Sequence, residues 1–395
     1  MSVFHGFCRA YQFVFGAAER FLPWRKPVCH TGAGKLTELG AILRENGAKK
    51  PLIVASRRQC ADPAFLSAVA ALPAYVTFSD VTPNPKIATI EEIAALYRAE
   101  GCDSFVAIGG GSPMDAAKVA AARIVRPNKS VAQLGGLLKV RRKLPLFIAV
   151  PTTAGTGSET TIAAVVTDET HHKYAVNDLC LIPHHAILDP ALTVSLPASV
   201  TAQTGMDALT HAVEAYIGKF YNTPETRRCA ENAVVDIFRY LKPACTDGTD
   251  LVAREKLLLA SFNAGVAFTR ACVGNVHAIA HTLGGLYNTP HGLANAVLLP
   301  VVLRDYGAAA YTPLARLAGL VGIDRATEQA KAEAFIDAIF AMNAELGIPD
   351  GFTEIREADL PQMVAWAAAE ANPTYPVPVI YNKARFISVI RQVMR

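Results

Sequence analysis

Five polar side chains fall into two clusters whose spacing suits a metal ion. Asp207 and His211 lie four residues apart in a strongly helical pattern, and His277 and His281 repeat that spacing. A separation of four places two side chains one turn apart on one helix face, where both reach one ion. His291 follows a proline at a predicted helix start. One carboxylate and three imidazoles suit iron(II) or zinc; the spacing leaves open which metal binds and which of His277, His281 and His291 is spare.

Two turns rich in glycine and hydroxyl groups follow predicted strands and have the composition of a nucleotide site. The first is Gly109-Gly110-Gly111-Ser112, after which Pro113 opens a helix. Glycines let the backbone approach a pyrophosphate, and the positive end of the helix dipole stabilises the anion. The second turn, residues 151–159, reads PTTAGTGSE. Ligands of open α/β sheets bind beyond the carboxyl ends of neighbouring strands, so the two turns together predict a nucleotide-binding edge.

The turn after the first long apolar strand bears on which nicotinamide cofactor binds. NAD-selective enzymes carry an acidic residue there that accepts hydrogen bonds from the ribose 2′-hydroxyl, whereas a 2′-phosphate requires arginine. This chain has Ser56-Arg57-Arg58 instead. The sequence therefore predicts NADP(H) in preference to NAD(H), with solvated loop arginines as the alternative.

Length and composition indicate an ordinary globular enzyme rather than a nucleic-acid or membrane protein. The 395 residues exceed what one core usually supports, so two domains are expected. Apolar residues make up 51% of the chain, and the net charge is +4 without long runs of like charge, which argues against a nucleic-acid partner. The eight cysteines are scattered without a CxxC pair, as expected of reduced thiols in the cytoplasm. We expect neither a membrane span nor a secretory signal.

The pattern of elements changes near residue 195. Up to that point short apolar runs alternate with helical patterns, which predicts a Rossmann-like, mostly parallel sheet with strands at 51–56, 74–79, 105–108, 146–150 and 186–188. The rest predicts an all-helical metal-binding domain with helices at 205–218, 225–241, 251–272, 274–287, 290–306, 327–346 and 359–371. The predicted division is therefore a nucleotide-binding domain over 27–195 and a helical domain over 196–395.

Residues 1–26 form a predicted N-terminal helical extension. Its apolar residues recur at helical spacing: Phe4, Phe7, Tyr11, Val14, Phe15, Ala18, Phe21 and Leu22. Arg9, Glu19 and Arg20 lie between them. We expect the apolar stripe to pack on the domain or on a second subunit; attachment to a membrane surface is the alternative.

Four strings of the sequence resemble those of the iron-containing (group III) alcohol dehydrogenases. They are GGGSPMDAAK at 109–118, PTTAGTGSE at 151–159, GMDALTHAVEAY at 205–216 and HAIAHTLGGLYNTPHGLANAVLLP at 277–300. The resemblance covers residues 27–395 and implies the dehydroquinate synthase-like fold, one α/β domain and one all-helical domain. It also implies a homodimer or larger homo-oligomer.

The resemblance also assigns roles to individual residues. By it, Asp207, His211, His277 and His291 bind the metal, and His281 lines the site without being a ligand. The residues matching cofactor contacts are Gly109, Gly110, Gly111, Ser112, Asp115, Thr152, Thr153, Thr156 and Lys173. Ser56 stands where NAD-preferring members carry an aspartate, which supports the preference for NADP(H) drawn from Arg57.

The implied reaction is reversible hydride transfer between nicotinamide C4 and a small alcohol or aldehyde. The metal is expected to act as a Lewis acid, and His281 to relay the hydroxyl proton. A glycerol-dehydrogenase-like polyol oxidoreductase that uses zinc is one alternative. A dehydroquinate-synthase-like lyase is a second, although the basic cluster expected for its substrate is not evident. A non-catalytic scaffold is the third, against which stand four intact ligand positions.

Overall fold

The computed structural model describes residues 3–169 and 173–395, which form two compact units. A sheet unit comprises Pro23–Leu196 and Thr249–Phe262. A helical unit comprises the chain up to Leu22, Pro197–Gly248 and Asn263–Arg395. The predicted fold class, a parallel-sheet domain followed by an all-helical one, is confirmed.

The described residues form the following helices and strands. The strands are β1 (Val28–Thr31), β2 (Pro51–Val54), β3 (Val76–Phe78), β4 (Ser104–Gly109), β5 (Gly136–Leu137), β6 (Leu146–Pro151), β7 (Ala163–Thr167), β8 (Lys173–Asn177) and β9 (His185–Leu188). The helices are α1 (Val3–Glu19), α2 (Leu39–Glu45), α3 (Arg57–Cys60), α4 (Pro63–Ala70), α5 (Ile87–Ala99), α6 (Gly111–Val125), α7 (Val131–Leu134), α8 (Ala198–Ile217), α9 (Pro224–Thr246), α10 (Leu251–Ala271), α11 (Asn275–Tyr287), α12 (His291–Tyr306), α13 (Tyr311–Leu320), α14 (Glu328–Glu345), α15 (Leu360–Ala371) and α16 (Lys383–Gln392).

The sheet unit is built on a six-stranded parallel sheet in the order β1-β9-β6-β4-β2-β3. Side chains alternate between its faces, and both faces are buried, which explains the continuous apolar runs in the sequence. One face carries Leu52, Val54, Phe105, Ala107, Phe147 and Ala149, in a core with Ile90 and Val119 of α5 and α6. The other carries Ile53, Val106, Ile108, Ile148 and Val150, in a core with Leu39 and Phe65 of α2 and α4.

A second, three-stranded sheet in the order β5-β8-β7 was not predicted. Strands β7 and β8 pair antiparallel, and β5 adds to β8 in parallel. Their side chains are mixed between buried and exposed, and β5 has only two residues. Such short strands lack the apolar signal that marks the main sheet. Strand β1 was missed for the same reason, because it is short and lies at the sheet edge.

The helical unit contains six of the helices predicted after residue 195, the second half of α10 and two more helices. All seven predicted helices are present, although α8 begins at Ala198 rather than at residue 205. Helices α13 and α16 were missed, because each has only ten residues. Within the described ranges, no single helix is long and apolar enough to cross a membrane; α10 and α11 pass that test only as a pair bent by 103°.

Helix α1 belongs to the helical unit but buries a face that adjoins the predicted apolar stripe rather than the stripe itself. Its buried residues are Cys8, Gln12, Gly16 and Glu19. Packing of its apolar stripe on the domain is not observed, because Phe4, Phe7, Tyr11, Val14 and Phe21 are exposed; packing on a second subunit stays a prediction. The reason is chemical, because the surface beneath α1 offers backbone carbonyl groups, which Arg9 and Gln12 can satisfy and apolar side chains cannot.

Candidate metal centre and cofactor-binding turns

Helix α8 supplies the first two candidate metal ligands. Asp207 and His211 are one turn apart and both are buried. The ring of His211 stacks on Phe268, with centroids 4.1 Å apart and planes 13° from parallel, so packing fixes its orientation. The same helix has glycine at position 205, where a Cβ atom would lie 2.3 Å from the Leu241 side chain.

Helices α11 and α12 supply the other two candidate ligands. His277 lies in the first turn of α11, and His291 is the first residue of α12. Gly292 lets α12 start against α8, since a Cβ atom at that position would lie 2.4 Å from the carbonyl oxygen of Gln203. This close backbone approach brings His291 within 3.5 Å of Asp207.

The four side chains converge on one point. Asp207, His211, His277 and His291 each offer one ligand atom, and these atoms all lie within 4.8 Å of one another. His281 is a neighbour rather than a member of this group; its ring stacks on His291 with centroids 5.2 Å apart. The spacing of the sequence left the spare histidine open, and this geometry favours His281 for that place.

Asn295 contacts three of the four candidate ligands. Its amide nitrogen lies 2.7 Å from Asp207 Oδ1 and 3.1 Å from Nε2 of both His277 and His291. One carboxylate and three imidazoles that converge in this way form a donor set that suits a divalent ion such as iron(II) or zinc.

Glu214 orients His277 from behind. One carboxylate oxygen lies 2.6 Å from His277 Nδ1, and the other accepts a hydrogen bond from the Val276 N–H at 2.8 Å. When Nδ1 donates to this carboxylate, the lone pair of Nε2 is left facing the cluster. Burial, followed by the neighbouring imidazoles, keeps the pKa of His277 well below its usual value. His277 is thus held neutral, the form that binds a metal.

The two predicted cofactor turns lie side by side in the sheet unit. Strands β4 and β6 pair up to Gly109 and Pro151, and the Thr152 N–H donates to the Gly109 carbonyl at 2.9 Å. Gly109 has φ +148°, a conformation that favours glycine. A Cβ atom on Gly110 would lie 3.3 Å from the Thr153 hydroxyl, and one on Gly111 3.3 Å from the Thr156 methyl group.

The packing of the two turns and the start of α6 determine which group the first turn can bind. The glycines are needed for the close packing of the two turns, and α6 begins at Gly111 without a side-chain cap. The first N–H groups of a helix have no partner within that helix, so the start of α6 offers donors to an anion. Ser112, in the first turn of α6, is partly exposed, as are Thr153 and Thr156, whereas Thr152 is buried. The residues present therefore fit a phosphate-bearing cofactor.

A buried network ties the second turn to α6. The Asp115 carboxylate accepts hydrogen bonds from the Ser158 hydroxyl at 2.9 Å and from the Val165 N–H at 3.0 Å. The ammonium group of Lys118 donates to Ser158 and to the Thr161 carbonyl, at 3.2 and 3.0 Å. Burial lowers the pKa of Lys118 to about 8. Asp115 was predicted to contact the cofactor; its carboxylate bonds to the protein, so that contact stays a prediction.

A carboxylate that follows β3, and that the sequence analysis did not single out, faces the turn after β2. Ser56 caps α3, accepting a hydrogen bond from the Gln59 N–H. The Arg57 guanidinium lies 2.9 Å from the Asp80 carboxylate, and both side chains are mostly exposed. Arg58 donates to the Ser195 carbonyl at 3.1 Å. Lys173, the remaining predicted cofactor residue, is the exposed first residue of β8.

Comparison with known proteins identifies the family. Residues 27–190 match the model described as "Iron-containing alcohol dehydrogenase", and residues 201–394 match "Fe-containing alcohol dehydrogenase family, C-terminal". The chain belongs to the iron-containing alcohol dehydrogenase family. It is therefore an iron-dependent enzyme that interconverts alcohols and aldehydes with a nicotinamide cofactor.

Individual relatives span most of the chain. The chain is 41% identical to 1,3-propanediol dehydrogenase of Klebsiella pneumoniae over 80% of its own length and 82% of that protein. It is 35% identical to the NAD-dependent methanol dehydrogenase of Bacillus methanolicus over 95% and 99%. A solved structure of 1,3-propanediol oxidoreductase superposes with a TM-score of 0.90 at 36% identity, covering 95% of this chain and 100% of that one.

Proposed function

We propose that Asp207, His211, His277 and His291 hold one iron(II) ion, and that the enzyme reduces small aldehydes, or oxidises the corresponding primary alcohols, at that site. This proposal rests on the convergence of the four ligand atoms, which all lie within 4.8 Å of one another. Zinc suits the same ligands, so the metal is part of the test.

The chain's own residues divide the remaining work. When bound, the iron supplies Lewis acidity toward the substrate oxygen, and the nicotinamide supplies or takes the hydride. His281 holds the hydroxyl proton: its Nδ1 lies 2.7 Å from Glu370 Oε1, so the imidazole is oriented with Nε2 as the atom that takes up or returns the proton. The donors at the start of α6 and the hydroxyls of Thr153 and Thr156 bind the cofactor phosphates.

The substrate class rests on the relatives. The relatives include enzymes named for 1,3-propanediol, methanol and lactaldehyde, all small molecules. All three names describe alcohol or aldehyde oxidoreductases. The relatives therefore favour neither the zinc polyol enzyme nor the lyase over an alcohol dehydrogenase. We infer that short-chain aldehydes are better substrates than bulky ones.

One experiment tests this proposal. Protein reconstituted anaerobically with iron(II), and separately with zinc, is assayed for NAD(P)H oxidation against propanal, lactaldehyde, 3-hydroxypropanal and a dihydroxyacetone control. We expect fastest turnover with iron and a monofunctional or hydroxylated short aldehyde. Zinc-dependent turnover of dihydroxyacetone alone would support the polyol enzyme instead. His281→Ala is expected to lower turnover without loss of iron; loss of iron would make His281 a ligand.

We further propose that NADPH is preferred over NADH. Ser56 offers no charge that repels a 2′-phosphate, and Arg57 and Arg58 offer two guanidinium groups beside it. Asp80 opposes this preference, because it already pairs with Arg57. The test is to measure turnover with NADH and with NADPH at equal concentration. A clear preference for NADH would contradict this proposal.

Assembly and location complete the proposal. We propose a homodimer or larger homo-oligomer on the strength of the family resemblance, and a cytoplasmic location because the eight cysteines are scattered without a CxxC pair. Light scattering on the purified enzyme tests the assembly, and a monomer at micromolar concentration would contradict it. Cell fractionation tests the location.

A further inference from the structure

Residues 373–378, here called the proline segment, cannot build regular secondary structure. Their sequence is Pro-Thr-Tyr-Pro-Val-Pro, so three of the six residues have no N–H group. Carbonyl groups in such a segment need donors from elsewhere, because an unpaired buried carbonyl costs free energy comparable to a lost hydrogen bond. The structure supplies a donor to each of the six.

Helix α1 satisfies four of these six carbonyls. The guanidinium of Arg9 donates to the carbonyls of Val377 and Pro378 at 2.8 and 2.9 Å. The amide of Gln12, which is fully buried, donates to those of Pro373 and Tyr375 at 3.0 and 2.7 Å. Arg9 also donates to the side-chain carbonyl of Gln12 at 2.8 Å, so the pair forms one connected unit.

The remaining two carbonyls are bonded from the chain just after α8. The hydroxyl of Tyr221 donates to the Thr374 carbonyl at 3.0 Å, and the backbone N–H of Lys219 donates to the Pro376 carbonyl at 2.6 Å. Tyr221 also packs against Gly16 of α1, where a Cβ atom would lie 2.9 Å from its ring. The N-terminal helix and the α8–α9 connection thus hold the proline segment from two sides.

The proline segment carries one side chain that leads to the proposed proton-handling residue. The hydroxyl of Tyr375 donates to Glu370 Oε1 at 2.7 Å, the same oxygen that lies 2.7 Å from His281 Nδ1. Burial, followed by the neighbouring Glu370, raises the pKa of Tyr375 well above its ordinary value, so the hydroxyl keeps its proton and donates. With one oxygen fixed by Tyr375, Glu370 has a defined position from which to orient the imidazole.

We propose that helix α1 is a positioning element of the active site: Arg9 and Gln12 fix the proline segment, which holds Tyr375 on Glu370 and so sets the orientation of His281. Arg9, Gln12, Tyr375 and Glu370 are positioning residues rather than catalytic ones. This inference rests on the proposed function, because it requires that His281 handles the alcohol proton. It gives the N-terminal extension a role that its exposed apolar stripe does not explain.

The test measures turnover, solvent isotope effect and iron content of the full-length, iron-loaded enzyme. Tyr375→Phe deletes one oxygen atom, and Gln12→Met removes the donors at similar volume. Each is expected to lower kcat about 10-fold, part of the roughly 10²–10⁴-fold that a positioned acid–base group contributes. The solvent isotope effect on kcat should rise because proton transfer becomes slower, while iron content and the KM for NADPH stay within about twofold of wild type.

Matched controls separate positioning from general damage. Tyr11→Phe removes an exposed hydroxyl of α1 and should match wild type. Arg20→Met removes an exposed guanidinium just after the helix and should also match wild type, which makes it the control for the test variant Arg9→Met. If Tyr375→Phe turns over like wild type, or slows with an unchanged isotope effect, the inference is overturned. Should Gln12→Met fail to fold, Arg9→Met decides the role of α1, because it removes the donors to Val377 and Pro378 and leaves Gln12 in place; wild-type turnover in Arg9→Met would then overturn the inference.

His281→Ala in the same series tells the two proposals apart. If His281→Ala turns over like wild type, the proposed role of His281 fails and this inference fails with it. If His281→Ala is slow while Tyr375→Phe and Gln12→Met are fast, only the inference about α1 is wrong.

Discussion

Replacing Gly292 with alanine tests how the backbone places a metal ligand. A Cβ atom at Gly292 would lie 2.4 Å from the carbonyl oxygen of Gln203, whereas ordinary contacts of this kind begin near 3.4 Å. The obstacle is helix backbone, so α12 must retreat from α8 by about 1 Å, the difference between those distances. His291, the preceding residue, moves with it, away from Asp207.

A displacement of that size has a measurable cost at the metal. Misplacing a reacting group by about 1 Å costs roughly 100-fold in rate, and disturbing the support of a metal ligand costs roughly 10- to 100-fold in affinity. We therefore expect Gly292→Ala to bind iron(II) about 10- to 100-fold more weakly in an anaerobic chelator competition. Turnover at saturating iron should fall by about 100-fold.

A glycine in an open helical position provides the control. Gly319 lies within α13, and a Cβ atom there would meet nothing within 4 Å. Gly319→Ala should keep iron affinity and turnover, and gain about 1 kcal/mol of stability from the higher helix propensity of alanine. Wild-type iron affinity and turnover in Gly292→Ala would refute the argument that the α8–α12 approach positions His291.

Three further changes address other parts of the site and fold. Glu214→Gln is expected to weaken iron binding about 10- to 100-fold, because the new amide N–H faces His277 Nδ1 and moves the imidazole proton to Nε2. Asp80→Asn should raise the NADPH-to-NADH ratio of kcat/KM about 5-fold, or roughly 1 kcal/mol, since it frees Arg57 for a 2′-phosphate. Burial, followed by nearby cations, lowers the pKa of His184 to about 4 in the folded protein, below its unfolded value near 6.5. Its contribution to the free energy of unfolding is therefore present above pH 6.5 and is lost as the pH falls toward 4. Discounted for partial exposure, that loss is about 1–2 kcal/mol and should be smaller in His184→Asn.

Each of these has its own check. Glu231→Gln alters a carboxylate that bonds Tyr216 and not a histidine, and should keep iron affinity; equal loss in both variants would contradict the tautomer argument. An unchanged cofactor ratio in Asp80→Asn would show that Arg57 does not read the 2′-phosphate. The His184→Asn side chain keeps an acceptor for the Phe147 N–H, so urea unfolding at about pH 4.5 and 7 isolates the titration, and identical pH dependence would exclude His184 as its source.

Much of the architecture could be predicted because its signals are local. Strand β4 reads as an apolar run because both its faces are buried, and α8 reads as a helix from its periodicity. Asp207 and His211 could be paired because four residues span one turn. The face of α1 could not be predicted in this way. Its burial is decided by carbonyl groups of residues 373–378, at the far end of the chain, and not by its own apolar spacing.

The residues that support the site were missed for a related reason. Glu214 follows His211 by three residues, and Asn295 follows His291 by four, so helical spacing placed both near the cluster. Their functions depend on which side chain they meet, which spacing does not reveal. Asp80 lies 23 positions after Arg57, and only the neighbouring ends of β2 and β3 bring them together.

Diffraction at the iron absorption edge, on crystals of the iron-loaded enzyme, locates the metal directly. We expect one anomalous peak per chain, at coordination distance from Asp207 and from Nε2 of His277 and His291, with His211 completing the set and His281 outside it. An anomalous peak elsewhere, or a peak with His281 as a ligand in place of any of the four, would contradict the proposed ligand set.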